Sequence, residues 1–178
     1  MIMFLSDLEE GASIFIDANI FIYHFSKGSR FNLASSSFLE QAETGSISGF
    51  TSTAIVQEVT HRMMIMEAAT FFPEMKAKGL IKYLKAHPEE VKKLRNHQGI
   101  PSKIASFNVK MIPFDIDIIE RSQAMKRRYG FLSNDALNLQ IMEDLKIKNL
   151  ASNDTDFERV DFITLFRPSA NSPLTIAQ

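Results

Sequence analysis

The chain has no cysteine among its 178 residues, which excludes disulfides, thiolate metal sites, iron–sulfur clusters and a cysteine nucleophile. It also lacks any apolar run of the roughly eighteen residues that a membrane helix needs. Its first residues lack the basic flank, long apolar stretch and small-residue cleavage site of a secretory signal. We therefore expect a cytoplasmic protein without a membrane span, in which oxygen and nitrogen atoms carry any chemistry.

The composition is that of an ordinary globular protein. Apolar residues make up 45% of the chain and charged residues 23%, so disorder and fibrous order are not expected. The length is close to that of a common single domain. We expect one domain over residues 1–168 and a loosely ordered tail over 169–178.

The net charge of −1 hides a strong asymmetry along the chain. Between Lys76 and Lys110 there are only two acidic residues, Glu89 and Glu90, against nine basic ones, at positions 76, 78, 82, 85, 92, 93, 95, 103 and 110. That segment carries +7, and the remainder of the chain therefore carries −8. The pattern fits either a basic rim beside an acidic site or the solvated face of several helices.

Short apolar runs alternate with helical patterns along the chain. The patterns predict strands near 13–17, 46–50, 109–114, 149–152 and 162–165. They predict helices over 19–25, 32–43, 117–129 and 133–146, with Ser133 capping the last, and several short helices as an insertion over 68–108. Strands that alternate with helices indicate an α/β protein, in which a parallel sheet is covered on both faces.

A further helix is predicted after the second strand, capped by Thr51 or Ser52. An apolar stripe at helical spacing marks its buried face, with Glu58 at the margin. The stripe consists of Ile55, Val56, Val59, Met63 and Met66.

Carboxylates occur where the carboxyl ends of parallel strands meet. Asp17 follows the first predicted strand, and Asp154 and Asp156 follow the fourth. Asp135 opens the last predicted helix, and Glu58 lies on the helix after the second strand. Ligands bind at this edge of open α/β sheets, so we expect the acids to converge there.

Each acid taken alone has an ordinary explanation. Asp17 suits a helix cap, and Asp135 suits the first turn of a helix. Glu58 suits an ion pair with Arg62 four residues later. The two acids after the fourth strand suit an Asx turn.

Together the carboxylates would repel one another and raise their pKa values unless a cation lay between them. An all-oxygen ligand set without cysteine favours Mg²⁺ or Mn²⁺. Two such ions about 3.5–4 Å apart activate a water and stabilise both oxygens of an in-line displacement at phosphorus. The acids therefore predict phosphodiester hydrolysis, with Arg62 a candidate for a bidentate phosphate contact.

Four segments resemble the PIN-domain ribonucleases, and particularly the VapC-like toxins of toxin–antitoxin pairs. Phe-Ile-Asp-Ala-Asn-Ile-Phe-Ile-Tyr (15–23) is similar to the family's opening strand, and Thr-Ser-Thr-Ala-Ile-Val-Gln-Glu-Val (51–59) to its second segment. Leu-Ser-Asn-Asp-Ala-Leu (132–137) matches the third, and Ala-Ser-Asn-Asp-Thr-Asp-Phe (151–157) resembles the closing motif. The four stand in the family's order.

The resemblance implies an α/β/α sandwich and assigns roles to individual residues. It implies metal-binding, catalytic roles for Asp17, Glu58, Asp135 and Asp154, with Asp156 as a neighbouring metal-binding acid. Asn19 and Ser152 would support the site, Ser152 by orienting it with its hydroxyl.

The resemblance also implies an activity and partners. The activity is endonucleolytic cleavage of RNA, dependent on Mg²⁺ or Mn²⁺ and leaving a 5′-phosphate. The implied partners are an RNA substrate, a cognate antitoxin protein and a second copy of the chain. The insertion exceeds the usual compact toxin length, and it suits a substrate-gripping arm, a dimer surface or an antitoxin surface.

Two alternatives stay open at this point. A haloacid dehalogenase-type phosphatase also begins with a strand that ends in Asp, but its motif needs an acid where this chain has Asn19. A degenerate PIN module would bind RNA or oligomerise through the basic segment without cleaving anything.

Overall fold

The computed structural model describes residues 3–170, and this part of the chain forms one six-stranded sheet. Every pair of neighbouring strands is parallel, in the order β1-β6-β5-β2-β3-β4. The predicted parallel sheet is therefore confirmed. The strands are β1 (Met3–Phe4), β2 (Ser13–Ile16), β3 (Ser48–Ser52), β4 (Lys110–Ile112), β5 (Asn149–Ala151) and β6 (Thr164–Arg167).

Eight α-helices connect the strands in the described range. They are α1 (Ala18–Phe25), α2 (Asn32–Glu43), α3 (Thr53–Phe71), α4 (Ala77–Ala86), α5 (Pro88–Val91), α6 (Ile100–Ser106), α7 (Ile116–Tyr129) and α8 (Ser133–Asp144). Short 3₁₀ turns occupy Leu5–Asp7, Asn96–Gly99 and Thr155–Arg159.

The helices form two layers, one on each face of the sheet. From β2 the chain moves through β3 to β4, and then returns to β5 on the other side of β2. Right-handed crossovers therefore place α7 and α8 on the face opposite to α1, α2 and α3. Consistently, α7 packs against α8, while α1 packs against α2 and α3. The result is a three-layer α/β/α sandwich, which confirms the predicted fold.

The central strand β2 is buried because helices cover both of its faces. Ile14, Phe15 and Ile16 have no solvent exposure, as a continuous apolar run in a parallel sheet predicts. The core extends into the adjacent strand β5 through Leu150 and Ala151. β2 thus carries Asp17, the next residue, to the carboxyl edge of the sheet.

Several predicted boundaries differ from the structure. The second strand lies two residues later than 46–50, and the last strand is Thr164–Arg167 rather than 162–165. The N-terminal strand, Met3–Phe4, was not predicted, because two residues carry no alternation pattern. Of the predicted tail, residues 171–178 lie outside the described range.

The caps and the apolar stripe of the third helix were predicted in part. Ser52, rather than Thr51, caps α3 by accepting a hydrogen bond from the backbone N–H of Ile55 at 3.1 Å. Met66 is 42% exposed, so its placement on the buried face was wrong. Ser133 is the first residue of α8 and does not cap it, since Leu132 stands at the cap position.

The segment after α3 builds a small second core away from the sheet. Leu80 and Leu84 of α4, together with Leu94, pack against Ala68 near the end of α3. This apolar cluster is separate from the main core and explains why α3 extends to Phe71. The boundaries 68–108 for an insertion, and a single domain over 1–168, stay predictions.

No helix within residues 3–170 combines the length and hydropathy needed to cross a membrane.

Candidate active site

The site lies at the carboxyl edge of the sheet, where β2 separates β5 from β3. The chain leaves β2 towards β3 and enters β5 from the opposite side, so this position is a topological switch point with a crevice above it. An open cavity of about 760 Å³ occupies that crevice. Four acids line it, namely Asp17, Glu58, Asp135 and Asp154.

Asp17 caps α1 and forms the floor of the cavity. Its Oδ1 accepts a hydrogen bond from the backbone N–H of Ala18 at 2.7 Å, and its Oδ2 accepts one from the Ser152 hydroxyl at 2.6 Å. Desolvation raises the pKa of Asp17 to about 6, and the charges of Glu58 and Asp135 add to the rise, whereas the two hydrogen bonds oppose it. The carboxylate therefore lies where a cation would be stabilised.

A polar network holds the Asp17 carboxylate in place. The Asn19 Nδ2 donates to Asp17 Oδ2 at 2.6 Å and to Ser152 Oγ at 2.9 Å. Ser152 is fully buried after β5, and its Oγ also accepts the backbone N–H of Asp154 at 3.1 Å. These contacts join the loop after β2 to the loop after β5, so the first and last motifs of the sequence meet here.

Glu58 and Asp135 enter the cavity from two helices. Ser52 at the end of β3 starts α3, and Glu58 lies on its second turn, where Arg62 Nε is 3.2 Å from Glu58 Oε1. Asp135 is in the first turn of α8. Desolvation raises the pKa of Asp135, and the charges of Asp154 and Glu58 raise it further. Glu58 therefore forms the ion pair with Arg62 and also lines the cavity together with the other acids.

Asp154 and Asp156 stand at the rim. Asp154 caps the 3₁₀ turn by accepting the backbone N–H of Asp156 at 2.9 Å. Asp156 does not line the cavity; it is exposed and lies 3.7 Å from Arg159. Its charge still raises the pKa of Asp135, so it contributes to the negative field of the site.

The lining carries four carboxylates and one guanidinium, that of Arg62, for a formal charge of −3. In residues 3–170, no three acidic or histidine side chains lie close enough together to grip one metal ion. The donor set is all oxygen, which fits Mg²⁺ or Mn²⁺ in chemistry, and the open cavity leaves room for water and a phosphate.

The sequence analysis did not single out three residues that shape the site, Asn138, Asn153 and Tyr23. Asn138 of α8 accepts a hydrogen bond from the Ser52 hydroxyl at 2.7 Å, and this buried contact fixes α8 to the start of α3. Asn153 donates its backbone N–H to Asn19 Oδ1 at 3.1 Å and its Nδ2 to the Tyr23 hydroxyl at 3.2 Å. Asn153 stands inside the closing motif, so its position was the only signal available.

Two known proteins that are similar to this chain in sequence are ribonucleases by name. The chain is 28% identical over 158 residues to Ribonuclease VapC2 of Methanocaldococcus jannaschii, covering 88% of this chain and 94% of that protein. It is 29% identical over 59 residues to Ribonuclease VapC6 of the same organism, covering 33% of this chain and 39% of that protein.

Solved structures share the fold at low sequence identity. VapC20 of Mycobacterium tuberculosis, described as a sarcin-ricin loop cleaving toxin, has a TM-score of 0.57 and 14% identity, over 84% of this chain and 96% of that chain. A toxin-antitoxin complex from Klebsiella pneumoniae has a TM-score of 0.52 and 20% identity, over 85% and 95%. VapBC2 of Rickettsia felis, bound to a DNA fragment from its promoter, has a TM-score of 0.54 and 14% identity, over 88% and 99%.

The sequence model of the PIN domain matches residues 14–163, which is most of the chain. This match confirms the resemblance found in the four motifs and removes the phosphatase alternative. The chain belongs to the PIN domain family.

Proposed function

We propose that this chain is an endoribonuclease that hydrolyses RNA phosphodiesters with the help of Mg²⁺ or Mn²⁺, and that it acts as a VapC-like toxin. The observation that carries the proposal is the convergence of four carboxylates, separated by up to 137 positions, on one open cavity at the switch point of the sheet. Two of them, Asp17 and Asp154, follow the ends of the neighbouring strands β2 and β5, and the other two lie on α3 and α8. The similarity to the two archaeal ribonucleases supports the choice of RNA.

Metal ligation is assigned from the donor chemistry. Asp17, Asp135 and Asp154 would hold the metal directly, and Glu58 would ligate it or orient the attacking water. Asp156 would complete the acidic set from the rim. When bound, two such ions supply a water activated for attack and a clamp on both reacting oxygens.

The remaining steps belong to side chains of this chain. Glu58 accepts a proton from the water, whose oxygen bonds to phosphorus while the bond to the 3′-oxygen breaks. The 3′-oxygen leaves as an alkoxide that takes a proton from solvent, so one product carries a 3′-hydroxyl and the other a 5′-phosphate. Asn19 and Ser152 keep Asp17 in its ligating orientation. Arg62, 61% exposed at the mouth of the cavity, contacts a substrate phosphate.

Partners are proposed from relatives. The solved structures from Klebsiella pneumoniae and Rickettsia felis are a toxin–antitoxin complex and a VapBC pair, and we extend a cognate antitoxin to this chain. A homodimer and a cytoplasmic location are proposed from the resemblance to the family alone. A reading frame for a small protein beside the gene would support an antitoxin, and its absence would count against one.

Cleavage of a labelled structured RNA tests the proposal. We expect the purified chain to cut it in Mg²⁺ or Mn²⁺ and not in EDTA, and we expect Asp154→Asn to abolish cutting while it remains folded. Asp117→Asn is the matched control, because it makes the same chemical change at an exposed position of α7 outside the cavity. Chelator-insensitive RNA binding without cleavage would instead show a degenerate binding module.

A further inference from the structure

The basic arm, residues 76–110, presents its positive charge to solvent. All nine of its lysine and arginine side chains belong to exposed residues. In the described part of the chain only one of them, Lys93, forms an ion pair with an acid, that of Glu90 at 2.7 Å. The arm therefore keeps most of its +7 charge unneutralised, beside a remainder of the chain that carries −8.

Helix α4 concentrates part of this charge on one stripe. Lys78, Lys82 and Lys85 are spaced at i, i+4 and i+7, so they lie on one face over about 10 Å of helix. Leu80 and Leu84 lie on the opposite face and are 1% and 4% exposed. The apolar face is used up in the second core, and the lysine stripe points away from it.

The arm is anchored to α3, the helix that carries Glu58. Glu67, whose side chain is 7% exposed, accepts the backbone N–H of Arg95 at 2.8 Å and that of Asn96 at 3.0 Å. Leu94, next to these amides, is buried in the second core. The stripe is thus held on a fixed support and does not sit on a flexible tail.

We propose that the lysine stripe of α4 is a second RNA-binding surface, which holds the phosphate backbone of the substrate at a distance from the cleavage site. The inference rests on the proposed function and explains how a long RNA is held close to that site. A cavity of formal charge −3 in a chain otherwise at −8 repels a polyanion, and a basic surface nearby offsets that repulsion.

The chemistry of the stripe fits a nucleic acid better than a protein surface. Within the arm, all of which is described, no large apolar side chain is exposed; the exposed Phe71 and Phe114 lie just outside it. Protein interfaces are depleted of lysine at their centre and need aromatic or aliphatic anchors there. Contacts to phosphate need only positive charge and give no preference for a base sequence.

The stripe is too far from the carboxylates to touch a short substrate. Ala68, against which Leu80 and Leu84 of α4 pack, lies ten positions beyond Glu58 on α3, which is about 15 Å at 1.5 Å per residue. At about 3.4 Å per phosphate of a stacked strand, about five nucleotides are needed to span that length. The stripe therefore contributes to binding of RNAs longer than this and not to a tetranucleotide.

The test variant is Lys78→Gln/Lys82→Gln/Lys85→Gln. Its affinity for a labelled hairpin RNA of about 30 nucleotides is measured by anisotropy in EDTA over a range of salt concentrations. We expect the slope of log K against log salt to fall by about 2, and the affinity at 0.1 M salt to fall on the order of 100-fold. Cleavage of a tetranucleotide in Mg²⁺ should be unchanged, while cleavage of the hairpin loses kcat/KM through KM.

The matched control is Lys27→Gln/Lys146→Gln/Lys148→Gln, which removes the same charge from exposed positions outside the arm. The proposal is overturned if both triple variants weaken hairpin binding equally, if neither does, or if wild type binds no RNA. It is equally overturned if the α4 variant changes only the mass of the assembly. Because binding is measured in EDTA, a chain that binds through α4 but never cleaves would refute the nuclease function and leave this surface standing.

Discussion

Replacing Asp17 with Asn removes the charge that the fold desolvates most. In the folded chain the pKa of Asp17 is raised from 3.8 to about 6, a difference that corresponds to about 3 kcal/mol. The folded state holds this proton more tightly than the unfolded state. The stability of the metal-free protein therefore falls as pH rises from about 4 to 6, and the loss persists at higher pH.

The asparagine variant escapes that loss but disturbs the local hydrogen bonds. The carbonyl oxygen of the asparagine still accepts the N–H of Ala18. Its amide nitrogen faces the Asn19 amide and the Ser152 hydroxyl, both of which donate to a carboxylate oxygen in the wild type. The disturbance costs about 1–2 kcal/mol. This term is common to all pH values, so the pH dependence isolates the charge.

Urea unfolding of wild type and Asp17→Asn in EDTA at about pH 4 and pH 7 measures the effect. We expect the difference in unfolding free energy between the two proteins to change by about 2.5 kcal/mol in favour of the variant at the higher pH, because pH 4 already lies slightly above the ordinary pKa of the carboxyl. Asp117→Asn, at an exposed site, should show no such change. A difference between wild type and Asp17→Asn that is the same at both pH values would refute desolvation as the dominant effect at the cavity floor.

Two further substitutions test the scaffold around the site. Ser52→Ala removes the cap of α3 and leaves the buried Asn138 carbonyl without its donor, and we expect a loss of about 2–3 kcal/mol in chemical denaturation; a loss below about 0.5 kcal/mol would show that the contact is dispensable. Glu67→Gln weakens the acceptor that holds the N–H groups of Arg95 and Asn96, and we expect roughly tenfold faster hydrogen exchange of those two amides with the main core unchanged. Three hydrogen bonds to Glu67 outweigh its desolvation and lower its pKa. The stabilisation from this anchor is therefore fully present above about pH 5 and is lost in acid. Hydrogen exchange of the two amides that is unaltered in Glu67→Gln would contradict the anchoring.

The helices were predictable where apolar spacing and stop signals agree. Asn32–Glu43 was predicted with its observed bounds, because its apolar pattern ends shortly before Gly45, which has φ +81°. Met66 shows the limit of this reasoning. Its spacing continues the stripe of α3, but the helix passes beyond the sheet, and the second core covers a different face there.

The acids of the site were predictable because strand ends in a parallel sheet share one edge. The side-chain hydrogen bonds that hold the elements of the site together were not predictable. The contact of Ser52 with Asn138 joins residues 86 positions apart, and the contact of Asn153 with Tyr23 joins residues 130 apart. Such side-chain contacts depend on strand order and helix placement. Asn138 and Asn153 are also of the same residue type as many surface residues, so their sequence gives no sign of these contacts.

The central claim is that carboxylates from separate segments act as one cation-binding site, and Mn²⁺ binding tests it most directly. Titration followed by the electron paramagnetic resonance of free Mn²⁺ should show binding to wild type that Asp135→Asn and Asp154→Asn each weaken by about tenfold or more. Asp117→Asn should bind as wild type does. Equal Mn²⁺ affinity in wild type and in both site variants would contradict the claim.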